Sequence, residues 1–520
     1  MKFDILGGST FYRLLGRALD AITYAAKQSG IARAIAAVRV WMQTSVIIRV
    51  CTRIADGMGA GVRHSAIIAR FLREDETGQF KERGLVFRGY MRALERFRRG
   101  YHALQLETRL TGSMLLRPGM WAILTVAAVP LLPTMAMLGL VVLSAISLLF
   151  TLLQNRERRL VYSAVNKYVW LYMLVYTLAI LTSVTPRGSL MVGLITVCFV
   201  GFYQVLVSSI TTKRQVRMLL GALAGAGALV SLYGIYQFLA PGGDAGAWLD
   251  TEMFAFTRVY STLANPNVLG KYFLLSIPLA FAGAFFSRTK LGRLFFLGAG
   301  GLMCITLVLT YSRGAYLGVL FAAAIFLALW DRRFIVPGFL AMAVLFLLLP
   351  GDILNRIASI GDMAEASTRF RAFLWMGTLS MLQDYWLSGV GPGEAAWWMV
   401  YPAYALPAIW APHSHNLFLQ IMVDAGLPGL AVFLAALYQY FKATFAALRR
   451  KVQGAQKALV IASIASIVGF LVQSMTDYTF YNFRIILFFW GVLAVGVIAA
   501  QYDKLCEGGA GDDTSAEYFQ

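Results

Sequence analysis

Uncharged apolar runs of about 17–25 residues recur along the chain after Trp121, and each is long enough for a helix to cross the hydrocarbon core of a bilayer. Backbone N–H and C=O groups find no water inside a bilayer, so a spanning segment must pair them internally, as a helix does. The composition agrees, with 59% hydrophobic and 14% charged residues in 520 positions. The sequence therefore predicts an all-α, polytopic integral membrane protein.

The apolar runs divide into twelve predicted membrane spans. Pro130 and Pro133 interrupt the first run, which is too long for one helix, so we predict a tight hairpin of two spans there. The twelve predicted spans are 120–134, 136–153, 166–184, 189–209, 217–239, 269–287, 292–310, 314–330, 334–350, 416–441, 458–475 and 485–502. One long segment, residues 351–415, connects the ninth span to the tenth.

The first 117 residues differ in charge from the rest of the chain. They hold 20 Lys and Arg against 9 Asp and Glu, which is +11 of the formal net charge of +20. Leu15, Leu19 and Ile22 recur at helical spacing between basic residues, which is typical of an amphipathic helix on an anionic membrane face. This region serves either as a juxtamembrane anchor or as a docking segment for a partner enzyme or lipid headgroups. We predict a basic cytoplasmic or juxtamembrane region at 1–117, a transmembrane domain at 118–505 and a cytoplasmic tail at 506–520.

Basic loops follow alternate spans. No cleavable signal sequence is recognisable at the start of the chain, so we expect the N-terminus to lie in the cytoplasm. Five basic loops then share the cytoplasmic side, as the positive-inside rule requires: 156–159, 213–217, 288–293, 331–333 and 448–451. This predicts a cytoplasmic-membrane protein with both termini inside and with residues 351–415 as one large loop on the outer face.

Titratable side chains of the predicted outer face are grouped in and around this loop. That grouping favours chemistry at the outer mouth, because a coupled transporter usually carries ionisable groups along a path through the bilayer. Several of the side chains are arginines, whose planar guanidinium binds phosphate oxygens in a bidentate manner. The pattern favours an enzyme acting on an anionic, lipid-borne substrate, with a transporter of lipid-linked sugars as the alternative from another class. Asp424, at mid-membrane depth, needs a buried partner.

The most specific motif lies where the loop ends. His415 and Asn416 are followed by nine residues, Gly426, two residues and Gly429. This order resembles the His-Asn, x9, Gly-x-x-Gly signature of the O-antigen ligase and polymerase superfamily. Counting from His413 instead puts an aspartate where the first glycine belongs. His415 therefore matches the signature histidine, and His413 is a supporting residue.

Three further segments resemble the same superfamily, in the same order along the chain. The stretch "YSRGAYLG" (311–318) supplies its Arg-x3-Leu motif through Arg313. The stretch "RVYSTLANPNVLGKYF" (258–273) contributes Arg258. The stretch "STRFRAFLW" (367–375) contributes either Arg369 or Arg371, of which Arg371 has the favoured spacing to Trp375. The resemblance covers residues 120–502 and is most specific from 258 to 429.

This resemblance implies a membrane glycosyltransferase of the GT-C type. Such enzymes transfer a glycan from a polyprenyl diphosphate carrier to an acceptor hydroxyl, without a nucleotide sugar, a metal ion or another cofactor. Fixed cations can stabilise the leaving diphosphate, and an imidazole titrates near neutral pH, as a general base should. The implied roles are diphosphate binding by Arg258, Arg313, Arg371 and the alternative Arg369, base catalysis by His415, and support by His413, Asn416, Gly426 and Gly429.

These motifs leave two transferase functions open. A ligase passes a finished glycan to a different acceptor, whereas a polymerase passes a growing chain to the next lipid-linked repeat unit. The expected partners are in both cases the polyprenyl diphosphate-linked donor, a glycan or lipid acceptor and the membrane lipids, with no nucleic acid.

Other residues are interpreted from geometry and composition. In a continuous helix Gly426 lies about three turns below His415, on the same face and roughly 16 Å deeper, where a small residue lets another helix approach. The loop aromatics, including Trp397 and Tyr401, either stack on sugar rings or lie in a belt at the membrane surface, of which the belt is favoured. Lys271 is expected to be an interfacial anchor. The four cysteines lack metal-ligand spacing.

Overall fold

The computed structural model describes residues 85–105, 112–240, 258–331, 366–406 and 409–506. All of these residues belong to one compact unit, 82–520. Within the described ranges the regular structure is helical, with fourteen α-helices and no β-sheet. They are α1 (Leu85–Ala103), α2 (Pro118–Ala128), α3 (Thr134–Gln154), α4 (Ala164–Leu181), α5 (Pro186–Ser209), α6 (Lys213–Leu239), α7 (Pro266–Phe286), α8 (Lys290–Val308), α9 (Arg313–Trp330), α10 (Ala366–Tyr385), α11 (Glu394–Val400), α12 (Leu417–Arg449), α13 (Gly454–Ser474) and α14 (Phe483–Ala500).

Ten of these helices are long and apolar enough to cross a membrane: α3 to α9 and α12 to α14. They coincide with ten of the twelve predicted spans, so the prediction of an all-α, multi-pass membrane protein is confirmed. The first predicted span, 120–134, corresponds to α2, which has only 11 residues and is too short to cross alone. The ninth predicted span, 334–350, lies outside the described residues. Helices α7, α13 and α14 are the most enclosed, with 83%, 72% and 89% of their apolar windows buried.

The predicted hairpin of two spans is present only as a turn between two helices, because α2 is too short to be a span. Helix α2 ends at Ala128 and α3 begins at Thr134, directly after Pro133. Pro130 and Pro133 lie between the two helices, and proline cannot donate an intrahelical hydrogen bond. The hydroxyls of Thr125 and Ser144 lie 3.0 Å apart between the two helices, so the pair is joined inside the apolar layer.

Part of the basic N-terminal region also packs on the bundle. Helix α1 buries Leu94 and Tyr101 against Leu148 and Leu152 of α3. The buried Arg98 donates to the backbone carbonyl of Leu152 at 2.9 Å, near the C-terminal end of α3. Carbonyls in the last turn of a helix lack intrahelical partners, and a guanidinium can donate hydrogen bonds to them. A boundary at residue 117 stays a prediction.

The described part of the long segment before α12, residues 366–406 and 409–415, is folded. It contains α10 and α11, which share an apolar core. Trp397 and Tyr401 are fully buried in this core, with their rings stacked at 4.3 Å, and the Trp397 indole donates to the Ala411 carbonyl at 2.7 Å. Their expected place in a surface belt is therefore wrong. Trp410 remains 57% exposed and stacks on Trp398.

Helix α12 is broken near its start. Ala425 and Gly426 have non-helical backbone angles, with φ +63° and ψ −171° at Gly426. His415 lies outside the helix, which begins at Leu417. The interpretation that one continuous helix joins His415 to Gly426 is therefore wrong, because His415 precedes the helix and the helix is interrupted at Ala425 and Gly426. The partner that approaches Gly426 is the backbone of Leu387, which follows α10, rather than another helix.

Backbone groups freed by the break are paired with the segment after α10. The amide of Val390 donates to the Val423 carbonyl at 2.7 Å, and the amide of Leu427 donates to the Trp386 carbonyl at 2.7 Å. Inside a membrane protein an unpaired backbone group costs several kcal/mol, so these two bonds make the break tolerable. They also fasten the segment of α10 and α11 to the bundle.

We predict that Gly426→Ala lowers the free energy of unfolding by about 3 kcal/mol or more, since the added Cβ would overlap the Leu387 carbonyl and φ is positive. Gly298→Ala is the matched control, because Gly298 is exposed within α8 and a Cβ there meets nothing within 4 Å. Unfolding of the purified protein in detergent measures both variants. Equal stability of the two would contradict this account of the break.

Candidate active site

A cavity of about 350 Å³ opens where several helices begin or end. It brings together three of the four predicted arginines, Arg258, Arg313 and Arg371. Arg369, the alternative to Arg371, is exposed and is not among the lining residues. The lining comprises Arg258, Asn267, Tyr311, Ser312, Arg313, Gly314, Leu317, Ser367, Thr368, Arg371, Ala372, Trp375, Gln473, Thr476 and Asp477. These residues come from four separate stretches of the chain.

Arg258 is fixed by the segment that precedes α9. Its Nε donates to the Thr310 carbonyl at 3.1 Å, and its Nη2 donates to Oδ1 of Asn267 at 3.3 Å. The Ser312 hydroxyl donates to the same Asn267 oxygen at 2.9 Å. The two motifs around Arg258 and Arg313, which are more than fifty positions apart in sequence, are thus joined through one asparagine in the first turn of α7.

Arg313 begins α9, and a close helix crossing sets its position. A Cβ on Gly318 would lie 2.7 Å from the carbonyl oxygen of Gly469, so α9 and α13 touch backbone to backbone there. Small residues allow such contact between membrane helices. The crossing brings the first turn of α9 beside the end of α13, where Gln473 and Asp477 line the same cavity.

Arg371 comes from α10, outside the membrane helices. Its Nη1 donates to the Ser367 hydroxyl at 3.0 Å, one turn earlier in the same helix. One turn later, the Trp375 indole donates to the Ser414 carbonyl at 3.0 Å. Helix α10 therefore carries a cavity cation and also contacts the turn that holds the two histidines.

The turn 413–416 has a constrained backbone. His415 has φ +49°, a left-handed conformation that is uncommon for residues other than glycine, although histidine adopts it more often than most side chains do. Its amide donates to Nδ1 of His413 at 3.3 Å. Asn416 caps α12, since its Oδ1 accepts from the amides of Phe418 and Leu419, while its Nδ2 donates to the Met475 carbonyl at 2.8 Å. These bonds hold the strained residue in place, and such strain often accompanies function.

His413 lies behind His415 as a buried, neutral support. Its ring stacks on Tyr481 at 5.1 Å and meets the His415 ring edge-on at 4.3 Å. Burial, with a contribution from the charge of His415, lowers the pKa of His413 to about 3. Its Nδ1 accepts the His415 amide, so the proton of the neutral ring is on Nε2.

The structure adds one acidic residue that sequence reasoning missed. Nδ1 of His415 and Oδ1 of Asp477 are 3.3 Å apart, and the Asp477 side chain is only 8% exposed. Burial alone would raise the pKa of Asp477. The hydrogen bond from His415 and the charges of Lys271, His415 and Arg371 outweigh it and hold that pKa well below its usual range. An ionised Asp477 accepts a hydrogen bond from Nδ1–H of His415, which leaves Nε2 of the ring available as a base.

A sequence signal for Asp477 did exist. Asp477 is the only acid between the last two membrane helices, residues 475–482. The positive-inside rule depends on Lys and Arg, so an isolated acid in such a loop does not contribute to it.

Asp424 supports the histidine turn through a second residue. Its Oδ1 accepts from Nε2 of Gln420 at 3.0 Å, and its Oδ2 accepts from the Tyr176 hydroxyl at 3.4 Å. The Oε1 of Gln420 in turn accepts from the Ser414 amide at 2.8 Å. The buried partner expected for Asp424 is therefore present. The carboxylate orients the Gln420 amide so that its oxygen faces the turn.

We predict that Gln420→Met costs about 1–3 kcal/mol of unfolding free energy, because it leaves the buried Ser414 amide and one Asp424 oxygen without this partner. Gln453→Met, at an exposed position before α13, is the control and should change stability little. Chemical unfolding in detergent provides the comparison. A Gln420→Met protein as stable as the control would show that the Asp424–Gln420 contact does not support the turn.

Among the described residues, no group of three His, Cys, Asp or Glu side chains is arranged to hold a metal ion. The described cysteines Cys198, Cys304 and Cys506 are all free thiols. Guanidinium groups and the Asp477 carboxylate line the cavity, whereas His415 is not among the lining residues and adjoins the cavity through its contact with Asp477.

A comparison with protein families matches residues 298–434 to the O-antigen ligase family. The matched range includes Arg313, Arg371, the turn 413–416, Gly426 and Gly429, whereas Arg258 and Asp477 lie outside it. Among curated proteins, nothing matches this chain. The family match supports an enzyme of the glycosyltransferase kind. It also confirms the resemblance drawn from the motifs: residues 298–434 of this multi-pass membrane protein match the O-antigen ligase family, which supports a relation to the O-antigen ligase and polymerase superfamily.

Proposed function

We propose that the protein transfers a glycan from a polyprenyl diphosphate carrier to an acceptor hydroxyl on a glycan or lipid. The acceptor oxygen attacks the anomeric carbon, and the bond from that carbon to the diphosphate breaks. The acceptor proton passes to Nε2 of His415, and the diphosphate leaves on its lipid carrier. Arg258, Arg313 and Arg371 bind the diphosphate, and Asp477 orients the histidine.

The observation that carries this proposal is the charge of the cavity. Among the described residues, three guanidinium groups and one carboxylate line it, and that carboxylate is bonded to His415. The excess positive charge favours an anionic ligand, and guanidinium groups bind phosphate oxygens with two parallel hydrogen bonds. Donors fixed before the reaction can stabilise the charge that develops on a leaving diphosphate.

The position of His415 supports its role as general base. Its side chain is 27% exposed, so one ring nitrogen can face substrate while the other faces the buried Asp477. A carboxylate on Nδ1–H fixes the ring orientation and stabilises the imidazolium that forms when Nε2 takes a proton. His413, Asn416 and the break at Gly426 hold the backbone that carries this ring.

The family supports a lipid-linked donor, because O-antigen ligases act on lipid-linked glycans. A diphosphate at the headgroup level of a membrane would meet a cavity at the ends of membrane helices. We place this end of the bundle on the outer face of the cytoplasmic membrane, because the basic loops 156–159, 213–217, 288–293 and 448–451 lie at the opposite ends of the same helices.

We predict that His415→Ala lowers release of polyprenyl diphosphate from a lipid-linked oligosaccharide by about 10²- to 10⁴-fold, the usual contribution of a general base. Purified protein reconstituted in vesicles with a supplied acceptor is the assay, and His102→Ala is the matched control. Glycan product length from the same reaction separates one transfer to a different acceptor, as in a ligase, from extension of repeat units, as in a polymerase. Lipid-linked sugar that crosses the vesicle unchanged, equally in both proteins, would instead support a transporter.

We predict that Arg313→Lys and Arg371→Lys each lower kcat by about 10²-fold, because an ammonium retains the charge but cannot make the paired hydrogen bonds of a guanidinium. Arg187→Lys, at an exposed position outside the cavity, is the control. Steady-state kinetics of donor turnover provides the measurement. A wild-type kcat in both cavity variants would show that the paired hydrogen bonds of these arginines do not contribute to the reaction.

A further inference from the structure

We infer that Lys271 is a positioning residue of this site, which fixes Asp477 and balances its charge so that the carboxylate keeps His415 in its reactive orientation. The inference rests on the proposed function, because it deepens the role of the His415–Asp477 pair.

Lys271 is a fully enclosed cation within a membrane helix. Its side chain has 0% exposure in α7, so its expected place as an interfacial anchor is wrong. The ammonium donates to the Ser474 hydroxyl at 2.9 Å and to the Asp477 backbone carbonyl at 2.9 Å. It also lies 5.0 Å from the centre of the Phe470 ring. The lysine therefore joins the last turns of α13 to the loop that carries Asp477.

A lysine in this position needs a counter-charge. Burying an ammonium without one costs several kcal/mol, and buried cations in membrane helices are typically paired. Within the described part of the chain, the carboxylate that lines the adjoining cavity is Asp477, and the charge of Lys271 is among the causes that lower the Asp477 pKa. Each of the two ions thus lowers the cost of burying the other.

Helix α7 contacts both the arginine side of the site, through Asn267, and the Asp477 loop, through Lys271. Asn267, in its first turn, accepts from Arg258 and Ser312. Lys271 follows four positions later, so both side chains project from the same face of the helix. One rigid helix thereby sets the distance between an arginine of the proposed leaving-group site and the carboxylate that orients the proposed base.

The test is a double-mutant cycle on turnover by the reconstituted protein. Lys271→Met keeps the length of the side chain and removes both the charge and the donors. We expect it to lower kcat about tenfold or more in the wild type, but less than about threefold in an Asp477→Asn background, because residues that act together are not additive. Lys290→Met, at an exposed position in α8, should leave kcat unchanged in both backgrounds.

The pH dependence of kcat gives a second readout. Three groups from other elements act on Asp477: His415 of the turn before α12, Arg371 of α10 and Lys271 of α7. Tyr481 lies in the same loop as Asp477. Removing one positive charge from this group raises the proton affinity of the His415–Asp477 pair. We therefore expect the acid limb of the kcat–pH profile to move to higher pH in Lys271→Met, by roughly 1 unit. Lys271→Arg retains the charge and should keep the wild-type limb.

Wild-type kcat and pH dependence in Lys271→Met would overturn the inference. So would an equal fold-loss in both backgrounds, which would indicate an effect on folding alone. If Lys271→Met does not fold, Lys271→Gln removes the charge but retains an N–H donor, and the pH comparison is made on that variant. Failure of the proposed function would look different, because the wild-type protein itself would then release no polyprenyl diphosphate.

Discussion

The pairing of backbone groups at the break in α12 is the constraint on which the site depends. A helix interrupted inside an apolar bundle must find partners for its freed amides and carbonyls, and Val423 and Leu427 find them in the segment after α10. Because the partner is backbone, the contact needs glycine at Gly426 and Gly389, where any Cβ would overlap Leu387 or Val423. The same pairing holds α10 against the bundle, and α10 brings Arg371 to the cavity. One break thus positions a residue that lies outside the membrane helices.

Two ionisable residues inside the membrane helices, Asp424 and Lys271, support the segments that carry His415 and Asp477. Asp424 acts through Gln420 on the histidine turn, and Lys271 acts on the loop of Asp477. Buried charges in membrane proteins often mark an ion path, and a path needs polar groups that continue from one side to the other. Here Asp424 is bonded to Gln420, which contacts the histidine turn, and Lys271 is bonded to the loop of Asp477. We interpret both as supports for a site at the ends of the helices, where the proposed lipid-borne substrate would bind.

Short motifs in the sequence predicted three arginines that the structure brings to one cavity, and apolar runs predicted ten membrane helices, because both signals are local. The roles of these arginines and of His415 stay predictions. Asp477 stands alone in a short loop and gains its role only when α13 and α14 bring that loop beside the histidine turn. The burial of Lys271 and of Trp397 likewise depends on tertiary contacts, because composition alone favours an interface for both. The unwinding at Gly426 could not be read from helix periodicity, which assumes that the helix continues.

The spacing between the signature histidine and glycine has a physical meaning in this fold. Asn416 caps α12 at Leu417, and the helical angles end before Ala425, so the intervening residues form a separate helical piece of about two turns, roughly 12 Å long. Gln420 and Asp424 stand one turn apart on this piece and bond to each other and to the turn above. A residue more or fewer before Gln420 would rotate it by about 100° away from the Ser414 amide, and a residue more or fewer after Gln420 would rotate the break relative to it by the same angle. The nine-residue gap therefore sets the orientation of the histidine turn relative to the break, and through the break relative to the arginine on α10.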